Sequence, residues 1–173
     1  VLLSSAEPVD EQFWQTGGSR RVLLDDHQAA VAEEAQLNAK LLGLTDLERA
    51  LGVAGLHHDE GKREARFQEF LRGRSARPDV LAKSGQRISD RRRWLALGLS
   101  GWRHEQLSAA WVWANQAGTD GERELITWLV GTSHGRGRTI FDRDAAALLP
   151  APEGIPAPVI AAAHELFSDG AWD

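Results

Sequence analysis

"TDLERALGVAGLHHDEGK", residues 45–62, decides how the rest of the chain is read. Its opening Thr45-Asp46-Leu47-Glu48 has the Ser/Thr-x-x-Glu spacing of a capping box, in which two side chains satisfy backbone N–H groups left open by the first helical turn. Leu47, Leu51 and Ala54 then recur at helical spacing and lead to His58, which predicts a helix with this face turned inward and Gly61 as its stop. Such a helix delivers two of the chain's six histidines, an aspartate, a glutamate and a lysine to one end.

The neighbouring segments carry the same period. Asp25 and Asp26 supply a helix start, and Ala29, Ala30, Val31, Ala35, Leu37, Leu41 and Leu42 carry an apolar repeat to Gly43. A short helix is expected around Phe67, Phe70 and Leu71. Two more are expected near 104–117 and 122–134, built on Leu107, Ala110, Trp111 and Ala114 and on Leu125, Trp128 and Leu129. Residues 72–101 read as a long loop with brief helical pieces, "PAPEGIPAP" (150–158) as a linker-like turn, and Val159 to Phe167 as a last helix. No alternating strand pattern of useful length is present. The expected fold class is all-α, in one domain spanning 1–173.

With 173 residues, 42% of them hydrophobic, the chain can bury a proper core. It has no cysteine, which rules out disulfides and thiolate metal sites, so a metal must be held by histidine and carboxylate. A net charge of −5 argues against a protein that coats nucleic acid non-specifically. The distribution is uneven, because Arg72, Arg74, Arg77, Lys83, Arg87, Arg91, Arg92 and Arg93 cluster in one stretch. Such a run is usually a solvated loop, and the alternative is a strip that contacts phosphates. No apolar stretch is long enough for a membrane helix and no signal peptide is visible, so a cytoplasmic location is expected, with no membrane partner.

His27, His58, Asp59, His104 and His134 fall at or near the ends of four separate predicted helices. A helical bundle brings ligands together at one interior point in this way. Imidazole with carboxylate suits zinc, iron, manganese, cobalt or nickel, and a carboxylate can bridge two ions. His57, the other member of its pair, is expected to pack rather than to ligate. The tryptophans sit mostly among aliphatic neighbours at helical spacing and read as core. Trp102, beside an Arg-His-Glu string, is the exception, a candidate for stacking on a base.

The strings "HDEGK" (58–62), "ARFQEFL" (65–71), "LAKSG" (81–85), "GWRHEQLS" (101–108) and "LVGTSHGRGR" (129–138) occur in one order. Together they resemble the HD-type nuclease domain of the type I CRISPR-associated helicase-nuclease, a branch of the HD phosphohydrolase superfamily, over roughly residues 23–141. The resemblance implies that His27, His58, Asp59, His104 and His134 hold one or two divalent metals, with magnesium also admissible. It implies catalytic roles for Asp59 and Lys62. Lys62, Arg103, Arg136 and Arg138 would bind substrate phosphates. It implies metal-dependent cleavage of single-stranded DNA in antiviral defence, with a helicase domain or subunit and an RNA-guided surveillance complex as partners.

The chain departs from that pattern at two places. Ser133 stands where many members carry the first histidine of a His-His-Gly motif, and no Ala-Asp-x-x-Ser segment supplies the last metal-binding aspartate, for which Asp169 or Asp173 would substitute poorly. The favoured expectation is a piece that lacks the final helix or helices and any helicase domain, and is therefore weakly active or inactive. Two further readings stay open: an HD-type phosphohydrolase acting on nucleotides, and a metal-poor helical module that docks to a partner.

Overall fold

The computed structural model describes residues 20–75, 77–85, 90–116, 118–133, 145–149 and 153–167. Strand β1 (Arg21–Leu23) runs straight into helix α1 (Leu24–Leu41), and a 3-10 turn (Thr45–Leu47) leads to α2 (Glu48–His57). A second 3-10 turn (Glu60–Arg63) precedes α3 (Ala65–Arg72), β2 (Leu81–Ser84) and α4 (Arg91–Ala96). Then come α5 (His104–Asn115), α6 (Asp120–Gly131), α7 (Ala145–Leu148) and α8 (Ala157–Phe167). The fold is all-α apart from one small antiparallel ribbon, β1 with β2, in which Arg21 faces Ser84 and Val22 faces Lys83. The ribbon falls in segments read as irregular from the sequence, because strands of three and four residues are too short to display a period of two. Among the described residues no helix is long and apolar enough to cross a membrane.

The two helices that carry the site pack on small residues. The buried positions of α2 are Ala50, Gly52, Ala54 and Gly55, and a Cβ on Gly55 would stand 3.0 Å from Ala32 Cα of α1. The backbones of α1 and α2 are therefore almost in contact. On α2 the expected inward face is right at Ala54 and wrong at Leu47, which is exposed, and on α1 the end of the apolar repeat, Leu41 and Leu42, is 74% and 73% exposed while Leu24, Gln28 and Ala39 are buried. Close backbone approach needs alanine and glycine at the contact, where leucine spacing gives no signal. The capping box also does not form. Thr45 opens a 3-10 turn, and Leu47, the residue before α2, makes no side-chain cap. Side-chain caps do form at Glu64, which accepts from Phe67 N at 2.9 Å, at Asp90, which accepts from Arg93 N at 2.9 Å, and at Thr119, which accepts from Glu122 N at 3.3 Å.

Helix α5 is the centre of the molecule and packs against α6, α8 and the Glu60–Arg63 turn. Leu107, Ala110 and Val112 of α5 join Phe67, Trp94, Ile126, Val130, Val159 and Phe167 in one buried cluster. Trp102 belongs to it. At 3% exposure, with its ring centroid 5.3 Å from that of Phe67, it is a core residue and offers no face to a base, contrary to the sequence expectation.

Candidate metal centre

Asp59 follows α2 at the point where the helix gives way to the 3-10 turn, and it is fully buried. Its carboxylate collects groups from three helices. Oδ2 lies 3.4 Å from His27 Nε2 on α1 and 3.4 Å from His58 Nε2, and Oδ1 lies 2.9 Å from His104 Nε2 at the start of α5. The rings of His27 and His58 meet edge to face at 5.2 Å. His27, His58 and Asp59 place one ligand atom each within 4.8 Å of one another, a group that could bind a metal ion.

The ring of His58 is aimed by its backbone. Its Nδ1 lies 2.7 Å from the Gly55 carbonyl oxygen, which can only accept, so in the neutral ring the proton sits on Nδ1 and the Nε2 lone pair points to Asp59. Orientation of a ligating histidine by a carbonyl on its other nitrogen is the usual arrangement at metal sites. A lone pair facing a carboxylate oxygen is unfavourable unless a cation lies between them, and that donor set fits a divalent ion.

The turn that presents Asp59 is held from several sides. Gly61 N donates to Ser108 Oγ at 2.8 Å, and that hydroxyl donates to the His104 carbonyl at 2.9 Å, fastening the turn to the first turn of α5. A Cβ on Gly61 would overlap the His104 carbonyl oxygen. Sequence reading assigned Gly61 to chain reversal after a helix. Its φ is not positive, and glycine is needed there for close approach. On another side, Gln28 donates to Glu60 at 3.2 Å, and Arg63 reaches Glu60 at 2.6 Å and Asp25 at 2.5 Å, fixing the first turn of α1 and thus His27.

Gln68 had no role in the sequence reading. Buried in α3, its amide donates to the Lys62 carbonyl at 2.6 Å and the Leu81 carbonyl at 2.9 Å, while its oxygen accepts from Leu81 N at 2.8 Å. It joins the turn to β2. The legible signal was a glutamine on the apolar face of a helix between Phe67 and Leu71, a position that favours a satisfied polar bridge.

The other expected site residues are placed as follows. Lys62 was expected to reach for a substrate phosphate; its Nζ instead lies 2.6 Å from Asp59 Oδ2, and the residue is 8% exposed. Arg103 is half-buried with its guanidinium 3.6 Å from Glu105. His57 turns from the cluster and stacks on Trp111 at 4.8 Å. Ser133, exposed after α6, donates its hydroxyl to the Val130 carbonyl at 2.9 Å. In the arginine-rich stretch Arg74, Arg77, Arg91 and Arg92 are exposed, and Arg93 donates to the Glu69 carbonyl at 2.9 Å. His134, Arg136 and Arg138 lie outside the described residues, as do Arg87, Asp169 and Asp173.

Burial lowers the pKa of His104, with the Lys62 ammonium acting in the same direction against the pull of Asp59. Burial also lowers that of His57, with Glu60 opposing. Both are therefore biased to the neutral form, which for His104 is the form that can ligate. The unfolded chain takes up these protons near the ordinary value of 6.5, before the folded chain does. Stability from the two groups is thus fully present above that value and lost as pH falls below it. The urea midpoint of the metal-free protein is expected to be lower at pH 5.5 than at pH 8. An equal or higher midpoint at pH 5.5 would contradict neutral burial of these rings.

Comparison with family models, curated proteins and solved structures finds no match to this chain.

Proposed function

We propose that this chain is a metal-dependent phosphodiesterase, an HD-type nuclease domain that cuts single-stranded DNA in CRISPR interference, acting with a helicase and an RNA-guided surveillance complex. The observation that supports it best is the convergence of His27, His58, His104 and Lys62 on the single buried carboxylate of Asp59. The order of the sequence strings around these residues supplies the rest. In this reading His27, His58 and Asp59 hold a divalent transition metal such as manganese, nickel, cobalt, iron or zinc, and His134 belongs to the ligand set by resemblance. When bound, such an ion would supply Lewis acidity, polarising a phosphoryl oxygen and lowering the pKa of a water toward ~7.

The chain's own residues do the positioning. His58 is fixed in the ligating tautomer by Gly55, and Asp59 is fixed by the turn that Gly61, Ser108 and Gln68 hold in place. His104, neutral and buried on the second oxygen of Asp59, can take a second ion or hold a proton at Nε2. Lys62 supplies one positive charge at the site for an anionic substrate, and Arg103, Arg136 and Arg138 are the further phosphate contacts of this reading.

The test is metal content of the purified protein by mass spectrometry, followed by digestion with manganese, cobalt or nickel added. The expected outcome is retained metal, cleavage of single-stranded DNA and no hydrolysis of deoxynucleoside triphosphates. The reverse substrate preference would assign a nucleotide phosphohydrolase. Failure to retain any of these metals would leave a docking module as the better account.

A further inference from the structure

A metal held by His27, His58 and Asp59 must use Asp59 Oδ2, the oxygen 3.4 Å from both Nε2 atoms, because Oδ1 is turned to His104. That same Oδ2 already carries the Lys62 ammonium at 2.6 Å. Ion and ammonium therefore contend for one buried atom. A dication and an ammonium cannot share this oxygen, on a fully buried carboxylate, without strong repulsion.

The backbone and side chain of Lys62 are differently constrained. Its N–H donates to the Asp59 carbonyl at 2.9 Å and its carbonyl is held by Gln68 at 2.6 Å, so the main chain is fixed. Four rotatable side-chain bonds still allow the ammonium to leave without moving that backbone. We propose that Lys62 is the built-in counter-cation of the metal-free site, and that a divalent ion binds by displacing its ammonium from Asp59 Oδ2. This rests on the metal-site reading above. Two consequences follow: the lysine weakens the site for metal, and the ammonium becomes accessible to an anionic ligand only once the ion is in place.

The experiment compares manganese affinity of the wild-type protein and Lys62→Met by competition with a fluorescent chelator. Lys62→Met is expected to bind on the order of tenfold more tightly or better, since ion–ammonium repulsion at contact far exceeds thermal energy. A second measurement needs no variant. Acetylation of wild-type Lys62 by acetic anhydride, read by peptide mass spectrometry, is expected to rise several-fold at saturating manganese relative to the metal-free protein. If Lys62→Met does not fold, this labelling decides.

Equal or weaker binding by folded Lys62→Met, or labelling unchanged by bound manganese, overturns the inference and leaves the metal site standing. Binding by the variant alone supports it in its strongest form. Absence of binding by both proteins overturns the metal reading and this inference together.

Discussion

Asp59→Ala is expected to abolish metal retention and to lower the stability of the metal-free protein by about 3–5 kcal/mol, the usual cost of removing one partner from a buried ion pair. The reason is what it leaves behind. Lys62, 8% exposed, loses the carboxylate it is packed against, and its ammonium must either stay without that partner or swing out and give up the packing of its stem. Against a typical total stability of ~5–15 kcal/mol, such a loss brings the chain close to unfolding. Urea denaturation measures it directly. The double variant Asp59→Ala/Lys62→Met is expected to recover most of the lost stability, because it removes the stranded charge, while still binding no metal. A double variant no more stable than Asp59→Ala alone would mean that Asp59 stabilises the fold through its histidines rather than through the lysine.

Gly61→Ala is the second large effect, and it acts by shape alone. The added Cβ meets the His104 carbonyl oxygen and, at 3.0 Å, the Leu107 Cβ. Neither is the end of a flexible side chain, so the turn and the start of α5 must move apart. Overpacking of this kind costs typically ~1–3 kcal/mol, and here the strain falls where Asp59 and His104 approach to 2.9 Å. The expected result is a lower urea midpoint together with weaker manganese binding. Gly121→Ala is the control. It lies exposed in α6 with nothing within 4 Å of its missing Cβ, and it is expected to be neutral or to stabilise by up to ~1 kcal/mol. Comparable losses in the two variants would mean that Gly61 matters for helix propensity and not for contact with α5.

Much of the helical layout could be read from apolar periodicity, because α1, α2, α3, α5, α6 and α8 each keep a stripe of apolar residues over several turns. The contacting positions were less legible on α1 and α2: of the α2 face Ala54 is buried but Leu47 is not, Leu41 and Leu42 at the end of α1 face outward, and alanine and glycine make the contact. The 3-10 turn after His57 was invisible because no local signal separates it from one more turn of α-helix. α4 and α7 are too short to show a period. At the site, His58 and Asp59 announced themselves as a doublet, and His27 and His104 by their places at helix starts. Gln28, Gln68 and Ser108 did not, because their partners lie 32, 13 and 47 residues away and only the folded chain brings them together. The same holds for the pairing of Lys62 with Asp59 instead of with solvent.

The small-residue packing of α1 on α2 has a consequence for what an ion meets. With Gly55 against Ala32, the spacing between the helix that carries His27 and the one that leads to His58 is set by backbone atoms in contact, and side-chain repacking cannot easily change it. The conformational entropy of assembling these ligands is thus lost when the chain folds, not when the ion arrives. Discrimination among metals at such a pre-organised centre then falls to ligand chemistry and to the charge already present, since apart from the Lys62 side chain the protein has little left to rearrange around any of them.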